Sequence, residues 1–216
     1  MSQSLPPGGI ELSPADIQAL EHRWAAAWSP QQVAARLAGL DTPWCVAAGW
    51  ALELFVGHGI RSHGDLEIAI PAADFAVVRD RFDSIGDYVF DGVGDGKIWP
   101  EASARVLAVT HQTWLRDAAS GHYLLDVFRE PHDGDTWICR HDPTIRLPYA
   151  QIIRRNGEGI PYLVPELVLL FKAKHARPKD QADFDTTVAY LNAAERRRLA
   201  ELIDHAYPGH RWLASL

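Results

Sequence analysis

The chain has 216 residues, of which 47% are hydrophobic and 23% charged, and its formal net charge at pH 7 is −7. This composition is that of a globular protein with one domain, or with one small domain and a helical extension. The negative charge gives no overall basic field, so a nucleic-acid partner is not expected. No apolar run approaches the roughly 20 residues that cross a membrane, and no signal-peptide pattern is visible. These features predict a cytoplasmic protein without a membrane partner, and they do not indicate an oligomeric state.

Apolar spacing and turn residues predict the elements in chain order. Ser13-Pro14 and Ser29-Pro30 are typical of helix starts, with serine as the N-cap and proline in the first turn. Later helices are predicted where apolar residues recur every three or four positions, and strands where short apolar runs lie between turn residues. The predicted helices are 13–28, 30–40, 50–57, 72–82, 166–176, 180–191 and 195–206, and the predicted strands are 44–47, 66–70, 88–90, 105–110 and 123–128, with edge strands near 137–140 and 160–163.

The element pattern changes near residue 160, where mixed strands and helices give way to helices alone. We therefore predict an α+β fold in which residues 14–160 form a core with a small mixed sheet flanked by helices. Residues 161–216 are predicted to form a C-terminal helical subdomain. Cys45 and Cys139 have no metal-ligand spacing and lie in strand-like runs, so we expect buried free thiols.

Three acidic residues lie in or directly beside apolar, strand-like runs. Asp65 and Glu67 are two residues apart, so in a strand their side chains point to the same face. Carboxylates on one face repel each other unless a cation lies between them, and Mg²⁺ prefers oxygen ligands. Asp126 lies inside the run 123–128, where burial disfavours an acid. If the two strands are neighbours, the three acids form a metal site that aligns a triphosphate, and Asp126 is a candidate general base.

Purely structural roles for these acids also stay open. Asp65 and Glu67 fit a solvated edge strand, and Asp126 fits a structural acid that caps N–H groups or forms a salt bridge.

A tight turn precedes the first acidic pair. Ala48-Gly49-Trp50 joins a buried strand to a helix, and the small residue at position 49 allows a phosphate to approach the backbone. The N-terminus of the helix offers unpaired N–H groups and the positive end of the helix dipole. A residue with a Cβ, such as Ala48, is disfavoured in this turn if its φ is positive.

The Gly turn that opens a helix, the Asp-x-Glu on a strand and the distant Asp on another strand together resemble the nucleotidyltransferases of the DNA polymerase β-like fold. The run 44–70 is most similar to the aminoglycoside 2''-adenylyltransferase-like group, as are 162–174 and the Lys-Asp-x-x-Asp-Phe segment 179–184. The resemblance extends from about residue 14 to the C-terminus. Two positions depart from the family pattern: Ala48 replaces a glycine-like residue, and Glu67 replaces the commoner Asp.

The resemblance implies a Mg²⁺-dependent enzyme that moves a nucleoside monophosphate from an NTP, with ATP expected, to a hydroxyl of a small molecule. An aminoglycoside-like acceptor fits the acidic net charge. It implies that Asp65, Glu67 and Asp126 bind the metal and carry the chemistry, with Asp183 orienting a lysine. The implied nucleotide-binding residues are Ala48, Gly49, Trp50, Arg61, His63, Lys174 and Lys179.

Three alternatives remain at this point. Arg61, His63 and the lysines also fit solvated loops and helix ends. The acceptor could be a protein or an RNA, as in toxin-type and antitoxin-type relatives of the fold. The chain could also be a catalytically degenerate nucleotide-binding protein of the same fold, which Ala48 and Glu67 motivate.

Overall fold

This computed structural model describes residues 5–216. The strands are β1 Ile10–Glu11, β2 Cys45–Val46, β3 Glu67–Pro71, β4 Tyr88–Gly94, β5 Lys97–Trp99, β6 Gln112–Asp117, β7 Tyr123–Glu130, β8 His132–Asp133, β9 Thr136–Ile138, β10 Arg146–Pro148, β11 Ile153–Arg155 and β12 Pro161–Leu163. The helices are α1 Pro14–Arg23, α2 Pro30–Arg36, α3 Ala48–Val56, α4 Phe75–Asp83, α5 Ala104–Leu107, α6 Tyr149–Ile152, α7 Pro165–Ala173, α8 Pro178–Val188 and α9 Ala193–Ala206, with 3-10 turns at Ala72–Asp74 and Arg211–Ser215.

A mixed sheet organises the molecule, with strand order β1-β5-β4-β6-β7-β3-β2-β12-β11. The central pair, β3 and β7, is parallel, and β2 joins β3 in antiparallel register. Strands β8, β9 and β10 form a separate three-stranded sheet. The parallel pair in the middle of the large sheet brings two distant acidic segments side by side.

The alternation of β3 separates the core from the functional face. Ile68 and Ile70 are fully buried in the main core, whereas Glu67 and Ala69 line a cleft on the opposite face. Since successive side chains of a strand point to opposite faces, one short segment serves both purposes. Cys45 and Cys139 are buried free thiols, as the sequence predicts.

The first two helices start where the sequence predicts, but one predicted strand is not formed. Ser13 and Ser29 both cap their helices through capping boxes. Residues 105–110, however, begin as the short helix α5, because the Ser103 hydroxyl accepts a hydrogen bond from the Val106 N–H at 3.4 Å. A serine N-cap outweighs the β-branched residues of this segment.

The C-terminal part begins inside the sheet. The hairpin of β11 and β12 spans residue 160, and Tyr162 pairs with Val46 of β2. Helices α7, α8 and α9 then follow. A division of the chain at residue 160 stays a prediction. Within residues 5–216 no helix is both long and apolar enough to span a membrane.

Candidate active site

The turn before α3 is strained at one residue. Ala48 has φ +49°, a left-handed conformation that costs a residue with a Cβ about 1–2 kcal/mol. The Ala47 N–H donates to the Glu67 carbonyl at 2.8 Å, which ties the turn to β3. Among residues 5–216, no side chain caps the N-terminus of α3. Its first N–H groups and the positive dipole end are therefore available to an anion.

At position 49 the side chains of Arg61 and His63 leave no space for a Cβ atom, which glycine lacks. A Cβ at this position would lie 2.5 Å from an Arg61 guanidinium nitrogen and 2.5 Å from the Cε1 atom of His63. Real Cβ atoms do not approach other atoms so closely, so any larger residue displaces Arg61 and His63. The structure thereby brings together four residues of the predicted phosphate site: Ala48, Gly49, Arg61 and His63.

Glu53 organises the loop that carries these side chains. Its Oε1 atom accepts hydrogen bonds from the Ile60 N–H at 2.8 Å and the Arg61 N–H at 3.1 Å, and it lies 2.8 Å from His63 Nε2. Burial alone would raise the pKa of Glu53, but these donors outweigh it and hold the pKa below its ordinary value. The sequence pattern did not single out Glu53, because its partners belong to a loop with no regular spacing.

Trp50 lies behind the turn and supports it. Its indole N–H donates to the Asp65 carbonyl at 2.9 Å, and its ring stacks on His63 with a centroid distance of 4.5 Å. The side chain of Trp50 lines a groove on the outer side of α3, whereas Asp65 and His63 line the cleft. Only the backbone of Trp50 is therefore placed to contact a phosphate.

The three predicted acids lie close together at the cleft: Asp65 and Glu67 line it, and Asp126 is buried directly beside Glu67. Glu67 and Asp126 are direct register partners on the parallel strands β3 and β7, and Asp65 precedes Glu67 on the same side. Asp126 is buried; its Oδ2 atom accepts from the Gln112 side chain at 2.8 Å, and its Oδ1 atom has no hydrogen-bond partner among residues 5–216. A buried carboxylate oxygen without a donor is costly. The indole N–H of Trp114, the register partner of Asp126, is also buried without a partner in the described part of the chain, so either this N–H or a ligand can satisfy the oxygen.

Burial and mutual repulsion perturb this cluster. Burial raises the pKa of Asp126 to about 8, against the opposing hydrogen bond from Gln112. Glu67 is half-buried, and its partial burial together with the charges of Asp65 and Asp126 holds its pKa well above the ordinary value. Uncompensated negative charge of this kind favours either a proton or a cation.

The oxygen atoms of these acids are chemically suited to bind a hard divalent cation. In their present conformations, no three His, Cys, Asp or Glu side chains of the described chain are grouped closely enough to hold a metal ion. The unpartnered Oδ1 of Asp126 and the register of Glu67 nevertheless provide oxygen donors on adjacent strands. Oxygen ligands with open positions are what Mg²⁺ requires.

Cations line the cleft together with the acids. Lys172 of α7 lies 2.7 Å from the Asp183 carboxylate and 3.3 Å from that of Asp180. Arg61 donates to the other oxygen of Asp183 at 3.0 Å. Two buried acids of α8 thus hold the cations at the cleft. We call the side formed by Arg61, Lys172, Arg177 and Lys179 the cationic wall.

The lysines predicted from the sequence separate in the structure. Lys179 lines the cleft, but Lys174 is exposed and lines a second cavity with His141 and Tyr207. Residues two apart on a helix point about 200° apart, so Lys172 and Lys174 cannot share one face. The salt bridges from Lys172 to α8 identify it as the lysine of α7 at the cleft. They depend on tertiary packing, so the sequence could not show them.

An ion cluster around the buried Glu130 also lines the cleft. Glu130, at the end of β7, accepts from Arg140 at 2.8 Å and from the Trp137 indole at 3.2 Å, and it lies 3.0 Å from His111 Nε2. The Arg140 guanidinium stacks over Phe171, 4.1 Å from the ring centroid. The sequence did not predict this cluster, since its members come from four separate segments.

The cleft has a volume of about 720 Å³ and is open to solvent at one side. Residues of β3 and β7 line it, and so does the cationic wall. Helix α1 and Trp24 line it as well. Cations and a helix N-terminus attract anions, and carboxylates attract cations, so this cleft offers partners for both.

The fold defines the class: the chain has the nucleotidyltransferase fold, as its sequence motifs predict. It is similar in structure to the lincosamide antibiotic adenylyltransferase LnuA bound to lincomycin, with TM-score 0.51 and 16% identity over 74% of this chain and 95% of the other. It is also similar to ANT(2'')-Ia in complex with adenylyl-2''-tobramycin, with TM-score 0.53 and 12% identity over 81% of this chain and 95% of the other. No protein-family model and no curated protein sequence matches the chain.

Proposed function

We propose that this protein is a Mg²⁺-dependent nucleotidyltransferase that moves a nucleoside monophosphate from an NTP, with ATP the expected donor, to a hydroxyl of a small molecule. The observation that carries the proposal is the pairing of Glu67 on β3 with Asp126 on β7, with Asp65 beside Glu67, at a cleft that the N-terminus of α3 and the cationic wall also line. Two of the structural neighbours are a lincosamide antibiotic adenylyltransferase and a protein that holds an adenylylated tobramycin, which supports a small-molecule acceptor.

Each part of the cleft has a role in this reaction. The N–H groups of the Gly49 turn and the cations Arg61 and Lys172 bind the phosphates. Asp65, Glu67 and Asp126 would hold Mg²⁺, which supplies neutralisation of the charge on the phosphates when bound. The acceptor oxygen bonds to the α-phosphorus as the bond to pyrophosphate breaks, and the hydroxyl proton passes to Asp126.

The test is nucleotide binding measured by calorimetry, with ATP, GTP, CTP and UTP, each with and without Mg²⁺. We expect one NTP to bind only with the metal, and Asp126→Asn to weaken that binding by about tenfold or more, since a ligand charge is lost. Asp204→Asn is the matched control, because Asp204 is exposed on α9 and does not line the cleft. An NTP affinity that changes neither when Mg²⁺ is omitted nor in Asp126→Asn would contradict the proposal.

A catalytically degenerate nucleotide-binding protein is the second candidate, and the positive φ of Ala48 favours it. In that case Ala48→Gly and Glu67→Asp raise a low rate of pyrophosphate release, because each restores the family residue. In an efficient enzyme, Glu67→Asp lowers the rate. A cytoplasmic location and the acceptor's identity stay predictions.

A further inference from the structure

The protein has a second cavity, with a volume of about 410 Å³. Of the residues that line it, Arg140 and Phe171 also line the cleft, and the others do not. Its lining comes from the segment 139–145 after β9, from the C-terminal half of α7 and from the end of α9. Because sites for small molecules have volumes of roughly 300–1,000 Å³, this cavity is large enough for a small ligand.

Most of the charged groups that line this cavity already have partners. Arg140 lies 2.8 Å from the carboxylate of Glu130. Asp142 is the one acid among the lining residues. One of its oxygens accepts from the Thr144 hydroxyl at 2.6 Å, and the other lies 2.9 Å from His205 Nε2. These groups are therefore already engaged with one another.

Lys174 is the exception among the charged groups. It lies directly after the last residue of α7 and is exposed. Lys172, two residues earlier, is paired with the acids of α8, but no acid of residues 5–216 lies within ion-pair distance of Lys174. The proposed nucleotidyl transfer gives Lys174 no role, since it does not line the cleft. An unpaired ammonium group at a cavity attracts an anion.

Two further hydrogen-bond donors line the same cavity. The His141 ring and the Tyr207 hydroxyl have no hydrogen-bond partner in the part of the chain that the structure describes. Partial desolvation and the positive charges of Arg140 and Lys174 lower the pKa of His141 to about 4. The ring is therefore neutral at pH 7 and offers one N–H. An anion in this cavity can accept from both groups and meet the charge of Lys174.

Apolar side chains complete the lining of the cavity. Leu170 and Ile145 are buried beside it. The ring of Phe171 meets the His141 ring edge-on, with a centroid distance of 5.3 Å. Apolar surface next to a few polar groups is typical of sites for small organic molecules.

We propose that this cavity is a second binding site, separate from the cleft, for a small organic carboxylate with an apolar body. One unpaired ammonium group matches the single negative charge of a carboxylate. The carboxylate lies against Lys174, His141 and Tyr207, and the apolar body packs against Leu170 and Phe171. This site does not depend on the proposed nucleotidyl transfer.

The test compares benzoate with benzamide, a neutral analogue of similar size, by ligand-observed NMR on the full chain at pH 7. We expect benzoate to bind about threefold or more tighter than benzamide, and Lys174→Gln to remove this preference, because the ion pair is lost. Lys179→Gln is the matched control: Lys179 is also exposed but lines the cleft, so the preference should remain.

A second measurement locates the bound carboxylate. The ring signals of His141, identified by their loss in His141→Gln, should shift as benzoate is added. Those of His58, which lines a different groove, should not.

Three results would overturn this proposal: equal affinities for benzoate and benzamide, no binding of benzoate at millimolar concentration, or a preference that is lost in Lys179→Gln and kept in Lys174→Gln. The last result would place the carboxylate in the cleft. No nucleotide takes part in the test, so its failure would leave the proposed nucleotidyl transfer intact.

Discussion

Ala48 shows how one residue can oppose the local geometry that its neighbours impose. Its amide group joins β2 to α3, where the hydrogen bond from Ala47 to β3 leaves little freedom. The resulting φ of +49° suits glycine, and alanine adopts it only under strain. Strain of this kind is common where a backbone is shaped for a ligand.

The first prediction is that Ala48→Gly stabilises the protein by about 0.5–1 kcal/mol. Glycine relieves the left-handed strain, which exceeds the added entropy of the unfolded chain. Urea unfolding monitored by circular dichroism measures the change. Ala51→Gly is the matched control: Ala51 is buried in the interior of α3, and its loss should destabilise by about 1 kcal/mol or more. Destabilisation by Ala48→Gly would contradict the strain at this turn.

At the scale of an element, the loop 57–66 depends on one side chain of α3. Glu53 is about 10% exposed at its side chain and binds two backbone N–H groups and His63 through a single oxygen. These bonds set the position of Arg61, and the Trp50 indole fixes the carbonyl of Asp65. The site is therefore shaped by α3 as well as by the sheet.

The second prediction concerns Glu53→Ala. Loss of the shared acceptor leaves the Ile60 and Arg61 N–H groups without their partner, so the free energy of unfolding should fall by about 2–3 kcal/mol. NTP affinity should fall as well, because Arg61 and Asp65 lose their positions. Glu53→Gln keeps an oxygen acceptor and should recover most of the affinity. Calorimetry measures the NTP affinity and urea unfolding measures the stability, with Glu201→Ala as the exposed control. If Glu53→Ala behaves like that control, Glu53 does not hold the loop in position.

At the scale of the whole molecule, Glu130 links parts that are distant in sequence. It ends β7 of the large sheet, binds Trp137 of the small sheet, and holds Arg140 over Phe171 of α7. Burial alone would raise the pKa of Glu130, but His111 and Arg140 outweigh it, so the pKa lies below its ordinary value. The folded protein therefore favours the charged form of this carboxyl.

The third prediction is a pH-dependent loss of stability in Glu130→Gln. A lowered folded pKa stabilises the protein above the pKa of the unfolded chain, and this contribution disappears as the pH falls through the folded value. Glu130→Gln should therefore cost about 2–4 kcal/mol at pH 7, and the difference from wild type should shrink below about pH 4. Urea unfolding at several pH values measures it. A constant difference from pH 7 to pH 3 would contradict the ion cluster.

Much of the fold could be predicted from the sequence because its signals are local. The serine caps of α1 and α2, the alternation of β3 and the buried run of β7 depend on neighbouring residues alone. The strand predicted at residues 105–110 was wrong, because a serine cap and β-branched residues give opposing local signals. The strand order was beyond prediction, since strand pairing joins residues that are far apart in the chain.

The sequence by itself determined the acidic pattern of the site and the Gly turn, because side-chain period and turn chemistry follow from a few adjacent residues. Only the tertiary structure decided which cations face the acids. Lys172 and Lys174 look alike in the sequence, and the buried Asp180 and Asp183 of α8 select Lys172. The surroundings of the Asp126 Oδ1 atom and the conformation of the loop held by Glu53 likewise arise from packing between distant segments, where burial and hydrogen bonding depend on what the rest of the chain supplies.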